Sequence, residues 1–130
     1  MHNARMYVTA GSGVLIAGLV IGGGESKTVL IRGIGPTLSE FGVSGTLADP
    51  QITVFSGPTP IASNSNWSNG VGASSTAQVS SISAQVGAFP LRSGSKDAAL
   101  IVTLQPGAYT VQVTSVSGAT GVALIEVYDT

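Results

Sequence analysis

Six carboxylates are the side chains in this sequence best suited to acid–base chemistry: Glu25, Glu40, Asp49, Asp97, Glu126 and Asp129. Two carboxylates that face each other across a cleft can hydrolyse a glycosidic bond, but such clefts usually also carry several aromatic side chains. Aromatic residues make up only 5% of this chain. The only histidine, His2, lies at a terminus that we expect to fray, so a serine nucleophile has no general base. We therefore expect no catalytic residue, and the protein is predicted not to be an enzyme.

The polar segment Ser63–Gly70 contains the only tryptophan of the chain, placed among side-chain amides and hydroxyls. An indole gives a sugar ring a flat apolar surface, and neighbouring amides can hydrogen-bond to the hydroxyls of the sugar. The segment is therefore a candidate carbohydrate-binding site with these ligand-binding residues: Asn64, Asn66, Trp67 and Asn69. The alternative, which we favour, is that Trp67 folds back on the edge of the fold and that the asparagines form Asx turns.

Oxygen-bearing side chains also allow a calcium site. Ca²⁺ takes about six to eight hard oxygen ligands. The residues that could supply them are Asp49, Asn64, Asn66 and Asp97. Their spacing matches no known calcium-binding loop, and short polar side chains of this kind more often bond to nearby backbone and cap turns. Ca²⁺ is the one cofactor that the sequence allows, with turn capping as the favoured alternative.

Arg32 and Glu126 each lie within an apolar stretch of sequence. A charge buried in such a stretch without a partner is costly. The simplest solution is that the two side chains pair with each other or with a near neighbour. We predict a structural ion pair at this position rather than a functional site.

The rest of the chain is divided into short strands. Along Tyr109–Thr114, apolar and polar side chains alternate with the period of two that is typical of a half-buried antiparallel strand. Glycine, proline, asparagine and serine separate similar runs rich in β-branched residues. The predicted strands are Arg5–Ala10, Val14–Gly22, Lys27–Gly33, Gln51–Ser56, Pro60–Asn64, Ala98–Leu104, Ala108–Val116 and Gly121–Tyr128. Helical spacing of apolar residues predicts a short helix within Ser74–Phe89, and Pro36 favours a helical turn over Thr37–Phe41.

The predicted fold is therefore all-β: an antiparallel β-sandwich, jelly-roll or immunoglobulin-like, of about eight strands with one or two short helical segments. Two of the predicted strands contain stretches that are apolar on both faces, Val14–Ile21 and Ala98–Leu104. In an antiparallel sandwich this pattern predicts a central strand or a second covered face, and that cover can be a subunit contact.

Composition narrows the class of partner. A chain of 130 residues suits one domain, here residues 1–130, with residues 1–4 expected to be a flexible or cloning-derived terminus. Only 8% of the residues are charged and the basic ones are scattered, so we expect no nucleic-acid partner. The longest apolar stretch, Val14–Ile21, has about half the length of a membrane-spanning helix, so we expect no membrane insertion. Low charge with abundant glycine, serine and threonine is typical of secreted or surface β-proteins.

Five sequence segments follow one another in a characteristic order: Val29–Leu38, Phe41–Pro50, Ile61–Trp67, Leu104–Thr110 and Thr120–Asp129. Together they resemble a poorly characterised β-sandwich domain of large secreted or cell-surface bacterial proteins, where it is often C-terminal or repeated. Ser65 departs from that family, in which an acidic residue is usual, and this departure weakens a metal site. The strand after Pro106 has a looser similarity to pre-peptidase C-terminal-type domains. The resemblance implies an extracellular accessory role and transfers no catalytic residue.

Three functions are compatible with these observations. We expect foremost a non-catalytic extracellular structural or adhesive accessory module that acts through contacts with protein surfaces. The second is a self-assembling subunit of an extracellular fibre or ring, in which Arg5–Ala10 adds to the open edge of another copy. The third is a carbohydrate-binding module that holds glycans at the Trp67 loop. Each predicts an exported bacterial protein, either extracellular or at the cell surface.

Overall fold

Eight strands and three short helical elements form the described part of the chain. The computed structural model describes residues 5–12, 14–69 and 74–130, and for residues 5–12 the backbone alone. The strands are β1 (Arg5–Ser12), β2 (Leu15–Ile21), β3 (Lys27–Ile34), β4 (Pro50–Ser56), β5 (Thr59–Asn64), β6 (Ala98–Leu104), β7 (Gly107–Ser115) and β8 (Val122–Asp129). The helical elements within the described residues are α1 (Thr76–Gln85) and two 3-10 helices, Pro36–Phe41 and Trp67–Asn69.

The strands form two antiparallel sheets of four strands each. The first has the order β1-β8-β3-β6, and we call it the covered sheet; the second has the order β2-β7-β4-β5, and we call it the open sheet. Only β4 and β5 are both consecutive in the chain and adjacent in a sheet, so every other connection crosses from one sheet to the other. The predicted all-β antiparallel sandwich is confirmed.

The predicted strand boundaries agree with the observed ones to within two residues. The predicted helical turn is the 3-10 helix Pro36–Phe41, which begins at its proline. The predicted helix is α1, whose first turn is capped by the Ser75 side chain accepting from the Gln78 N–H at 3.3 Å. Gly87, with a φ of 78°, follows the helix and turns the chain in a conformation that favours glycine. No helix within the described residues is long and apolar enough to cross a membrane.

The main core lies between the two sheets, where the inward side chains of every second residue meet. From the open sheet come the alternating residues of β2 and the fully buried Ile52, Val54, Val111 and Val113. From the covered sheet come Val29, Ile31, Ile125 and other inward residues of β3, β6 and β8. This is the period-two alternation that the sequence predicts for half-buried strands.

A second, outer core covers the other face of the covered sheet. Leu30, Ile34 and Tyr128 point away from the main core, and α1 and the loops around it pack over them. The strand β6 is therefore apolar on both faces because the chain itself covers its outer face, through contacts that include Ala99 and Ile101. No subunit contact is needed to explain its composition.

Cover by the chain itself does not explain the two apolar faces of β2. It is an edge strand of the open sheet, with inward residues buried and outward residues exposed in strict alternation. The expectation of a central position is therefore wrong for β2, and no part of the described chain covers its outward side chains. Val14, Ile16 and Val20 are 61%, 60% and 70% exposed.

Candidate functional site

Asp97 is the centre of a buried polar cluster at the start of the 3-10 helix Pro36–Phe41, and it is fully buried. Its Oδ1 accepts hydrogen bonds from the backbone N–H groups of Gly35 at 2.8 Å and of Thr37 at 3.2 Å. Its Oδ2 accepts from the Thr37 hydroxyl and, at 2.5 Å, from the Ser95 hydroxyl. Four donors therefore surround one carboxylate, which ties the chain after β3 to the loop before β6.

Trp67 is held by the same cluster and is only 6% exposed. Its Nε1 donates to Ser95 Oγ at 3.1 Å, and its backbone N–H donates to the carbonyl oxygen of Asp97 at 2.9 Å. The indole packs within the outer core. Trp67 therefore does not offer its face to a sugar ring, which corrects the prediction of a carbohydrate platform. The favoured alternative, a tryptophan folded back onto the sandwich, describes the structure.

Asn64 and Asn66 use their side chains to shape the loop that follows β5. Asn64 Oδ1 accepts from the N–H groups of Asn66 and Ala99, both at 3.1 Å. Asn66 Oδ1 accepts from the Ser68 N–H at 3.0 Å. Asn69 is exposed, and its backbone N–H donates to the Asn66 carbonyl at 3.0 Å. These contacts are local turns and strand-edge bonds, and the predicted ligand-binding set has no exposed indole beside it.

The oxygens predicted for calcium accept hydrogen bonds from the protein instead. Asp49 accepts from the Ser115 hydroxyl at 2.6 Å and from the Ser117 N–H at 3.1 Å. The Ser115 hydroxyl, followed by Ser117, holds the pKa of Asp49 below its usual value. Asp97, Asn64 and Asn66 have the protein donors already described. Within the described residues no group of three or more acidic, histidine or cysteine side chains could hold a metal ion. The hydrogen bonds of these four side chains are those of turn capping, and the calcium site stays a prediction.

Arg32 and Glu126 lie opposite each other on β3 and β8, and the structure pairs them as the sequence predicts. Arg32 Nη2 lies 2.9 Å from Glu126 Oε1, and both side chains are buried. Arg32 also donates from Nη1 to the Phe89 carbonyl at 2.6 Å, and its Cζ lies 4.5 Å from the centre of the Phe89 ring. Burial lowers the pKa of Arg32, and the Glu126 carboxylate opposes this effect. The pair fastens the loop after α1 to the covered sheet.

A small cavity of about 210 Å³ lies beside α1. Trp67, Ser83, Ala84 and Leu91 line it together with other residues that carry no titratable group. Ligand pockets typically have volumes of about 300–1,000 Å³. The cavity is therefore small for a cofactor or a substrate, and nothing in its lining could carry out acid–base chemistry.

The outer face of the open sheet has a distinctive chemistry, because none of its described outward residues is charged. Its rows are set by the strand register: Ile16 pairs with Gln112, which pairs with Thr53, which pairs with Ser63. The outward residues of its strands are Ile16, Gly18, Val20, Ala108, Thr110, Gln112, Thr114, Gln51, Thr53, Phe55, Ile61 and Ser63. The exposed apolar side chains are concentrated on β2.

The sandwich has four sheet edges, and three of them carry features that hinder the addition of another strand. The strand β1 has an irregular register between Arg5 and Tyr7, and β5 has Pro60 beside a shift in register. Along β6, the Ala99 N–H donates to Asn64 Oδ1 and the Ile101 N–H donates to Ser74 Oγ at 2.9 Å. These side chains occupy donors that an incoming strand would need.

The edge of β2 has none of these protections. Its seven residues include no proline and no charged side chain, and its pairing with β7 runs from Leu15 to Ile21 without a shift in register. The sequence pattern identifies the apolar faces of this strand, and it predicts either a central position or a second covered face. No residue type in β2 distinguishes an edge position from a covered one.

Comparison with models of protein families finds no match, and comparisons with curated proteins and with solved structures also find none. The resemblance to a domain of secreted bacterial proteins therefore stays a prediction.

Proposed function

We propose that this chain is a non-catalytic structural or adhesive module of an extracellular protein, and that it joins protein chains by accepting an added strand at the edge of β2. The observation that carries this proposal is the contrast among the four edges of the sandwich. Three are protected by a bulge, a proline or side-chain hydrogen bonds, whereas β2 is regular, uncharged and exposed.

An added strand gains two kinds of contact at this edge. The backbone N–H and C=O groups on the outer side of β2 are the partners that strand addition uses, and these bonds depend little on the sequence of the incoming chain. The outward side chains of Ile16 and Val20, 60% and 70% exposed, provide apolar contacts to alternate residues of that strand. Affinity then comes from the backbone, and selectivity for an apolar strand comes from these side chains.

The extracellular location is part of the proposal. It is supported by the low charge of the chain, 8% of residues against about a quarter in an average soluble protein. An uncharged sheet face with an open edge is also a hazard in a crowded cytosol, because such edges pair with any exposed strand.

A peptide-addition experiment tests the proposal directly. The probe is a short synthetic peptide in which valine and threonine alternate between terminal lysines, and its control is the same peptide with a central proline. We expect the alternating peptide to slow amide hydrogen exchange in β2, measured by mass spectrometry, because it covers the free edge. The proline peptide lacks a backbone donor and should have a much smaller effect.

Two matched variants of the protein distinguish strand addition at β2 from non-specific binding of the peptide. Ile16→Lys/Val20→Lys places two charges on the edge of β2, and Ile61→Lys/Ser63→Lys places two charges on the same face at the opposite edge. We expect the first variant to lose the peptide effect and the second to keep it. Exchange in β2 that does not respond to the alternating peptide, or responds equally in both variants, would show that β2 is not an acceptor.

A further inference from the structure

The buried face of α1 carries a polar side chain that packing does not explain. The helix buries Val79 and Ser83, which lie about one turn apart on the same face. Ser83 is only 4% exposed, and within the described part of the chain its Oγ has no hydrogen-bond partner. A buried hydroxyl without a partner destabilises a fold. Alanine, which is of nearly the same size, would avoid that cost, so Ser83 points to a partner from outside the chain.

Ser83 lines the cavity of about 210 Å³ beside α1. Trp67, Ala88 and Leu91 are further buried residues of the lining, and Ala84 of α1 is one of the exposed ones. None of the described lining residues is charged, and the indole N–H of Trp67 already donates to a hydroxyl of the protein. The Ser83 hydroxyl is therefore the buried polar side-chain group that the cavity offers to an occupant.

From these observations we propose that the cavity binds a small neutral molecule of the phenol class, an aromatic ring that carries one hydroxyl group. The cavity is smaller than the usual ligand pocket, but an engineered apolar cavity of about 150 Å³ already binds benzene. An indole in the wall favours an aromatic ring, since aromatic pairs are stabilised by offset or edge-to-face contact. The Ser83 hydroxyl, which can both donate and accept, bonds to the hydroxyl of the ligand.

The absence of charge among the described lining residues decides against ionised ligands. A carboxylate or an ammonium group taken into this cavity would lose its hydration without meeting an opposite charge, which is costly. The cavity belongs to the outer core, on the covered sheet, whereas β2 is an edge of the open sheet. This inference therefore goes beyond the proposed function and does not depend on it.

Fluorescence titration of the unmodified protein tests binding, because Trp67 is the only tryptophan and lines the cavity. The probes are phenol, toluene and benzoate, with excitation at a wavelength that none of them absorbs. We expect phenol to change the emission in a saturable way. Toluene has the same shape with a methyl group in place of the hydroxyl, and it should also bind. Benzoate should give no saturable change, because its carboxylate would be buried without a cation.

Ser83→Ala isolates the hydrogen bond to the ligand. We expect it to weaken phenol binding by roughly 2–10-fold, the factor that one net hydrogen bond supplies. Toluene binding should stay nearly unchanged, since toluene has no hydroxyl to lose a partner. In the free protein the melting temperature of Ser83→Ala should not fall, because the substitution removes a buried hydroxyl that has no partner in the described chain.

Two further variants of α1 test where the ligand lies. Ala84→Leu adds bulk at an exposed position of the cavity lining, and Ala77→Leu adds the same bulk at an exposed position of the same helix outside the lining. Leucine is a good helix former, so neither change should disturb the helix. We expect Ala84→Leu to abolish the saturable response to phenol and Ala77→Leu to keep it.

Three results would overturn the proposal. The first is emission that changes linearly with phenol, without saturation, or that responds equally in Ala84→Leu and Ala77→Leu. The second is equal weakening of phenol and toluene binding in Ser83→Ala, which would mean that Ser83 does not bond to the ligand. The third is a lower melting temperature of free Ser83→Ala, which would show that the hydroxyl already bonds within the protein, as helical serines do to the preceding turn. None of these results bears on strand addition at β2.

Discussion

Arg32 and Glu126 form a buried ion pair across adjacent strands of the covered sheet, with Nη2 2.9 Å from Oε1. The pair is covered by the loop after α1, whose Phe89 supplies both a carbonyl acceptor and a ring against the guanidinium. The strands β3 and β8 and this loop therefore share one charged contact. Through Phe89, the pair positions the loop after α1 on the outer face of the covered sheet.

Replacing one partner of this pair should destabilise the fold strongly. Arg32→Met leaves the Glu126 carboxylate buried without its guanidinium, and breaking a buried pair in this way typically costs about 3–5 kcal/mol. We expect a loss of that order in the free energy of unfolding, measured by urea denaturation. The double variant Arg32→Met/Glu126→Met should recover much of the loss, because it removes both charges. An Arg32→Met protein with an unchanged melting temperature would contradict this account.

Replacing Asp97 with alanine should destabilise the fold more than replacing it with asparagine. Asp97→Ala removes the acceptor for two backbone N–H groups and two hydroxyls in a buried cluster. Hydrogen bonds to a charged group contribute about 1.5–3 kcal/mol each, so we expect a loss of about 3 kcal/mol or more in the free energy of unfolding. Asp97→Asn keeps an acceptor oxygen and should lose less.

Tryptophan fluorescence distinguishes a local effect at Asp97 from global unfolding. Trp67 is the only tryptophan and is bonded to both Ser95 and Asp97. In folded Asp97→Ala we expect a red shift of the emission, because the indole becomes more hydrated. An unshifted spectrum in a folded variant would mean that Trp67 is positioned by packing alone.

The strands could be predicted because their signal is local. Alternation along Tyr109–Thr114 and the turn residues around each run fixed the strand boundaries to within two residues. The Arg32–Glu126 pair could be predicted because a charge buried in an apolar strand is costly without a partner of opposite charge. Asp97 could not be understood in this way, because its donors are backbone N–H groups and hydroxyls, which occur throughout the chain and do not stand out in the sequence.

The position of β2 could not be predicted from its composition. A strand with apolar residues on both faces has the same sequence pattern whether its outer face is covered by its own chain, as in β6, or by nothing in the described chain, as in β2. The distinction depends on which segment packs where, and that is a property of the whole topology. For Trp67 the polar neighbourhood left an exposed and a buried indole both open, and the favoured alternative, a tryptophan folded back on the fold, agrees with its 6% exposure.

Asp49 should contribute a pH-dependent part of stability. Hydrogen bonds from Ser115 and Ser117 hold its pKa in the folded protein below the ordinary value of 3.8. Its contribution is therefore fully present above that ordinary value, and it is lost as the pH falls through the lower, folded value. We expect Asp49→Asn to lower the urea midpoint at neutral pH, and the difference from the unmodified protein to shrink in acid.

A second variant checks the cause of that pH dependence. Ser115→Ala removes the donor with the largest effect on the Asp49 pKa. In the Ser115→Ala background, Asp49→Asn should change the urea midpoint less than it does in the unmodified protein. Equal effects in both backgrounds would mean that the Ser115 hydroxyl does not stabilise the ionised carboxylate.

Two glycines, Gly35 and Gly121, lie directly against the backbone of Leu47. Substitution of Gly121 tests how closely this backbone is packed. A Cβ at Gly121 would lie 2.7 Å from the backbone N and Cα of Leu47, while Leu47 N–H donates to the Val122 carbonyl at 2.8 Å. A Cβ at Gly35 would press on the Leu47 carbonyl oxygen. Gly121→Ala must therefore push the Leu47 backbone away from β8, and overpacking of this kind costs about 1–3 kcal/mol.

Gly24→Ala is the matched control, because a Cβ there meets no atom within 4 Å and its backbone does not require glycine. We expect the melting temperature to fall by several degrees in Gly121→Ala and to stay nearly constant in Gly24→Ala. The loss should be accompanied by faster amide exchange at Leu47 and Val122, whose hydrogen bonds join the Leu47 segment to β8. Equal melting temperatures for the two variants would mean that the Leu47 segment yields to a methyl group without cost, and that its contact with β8 does not anchor the fold.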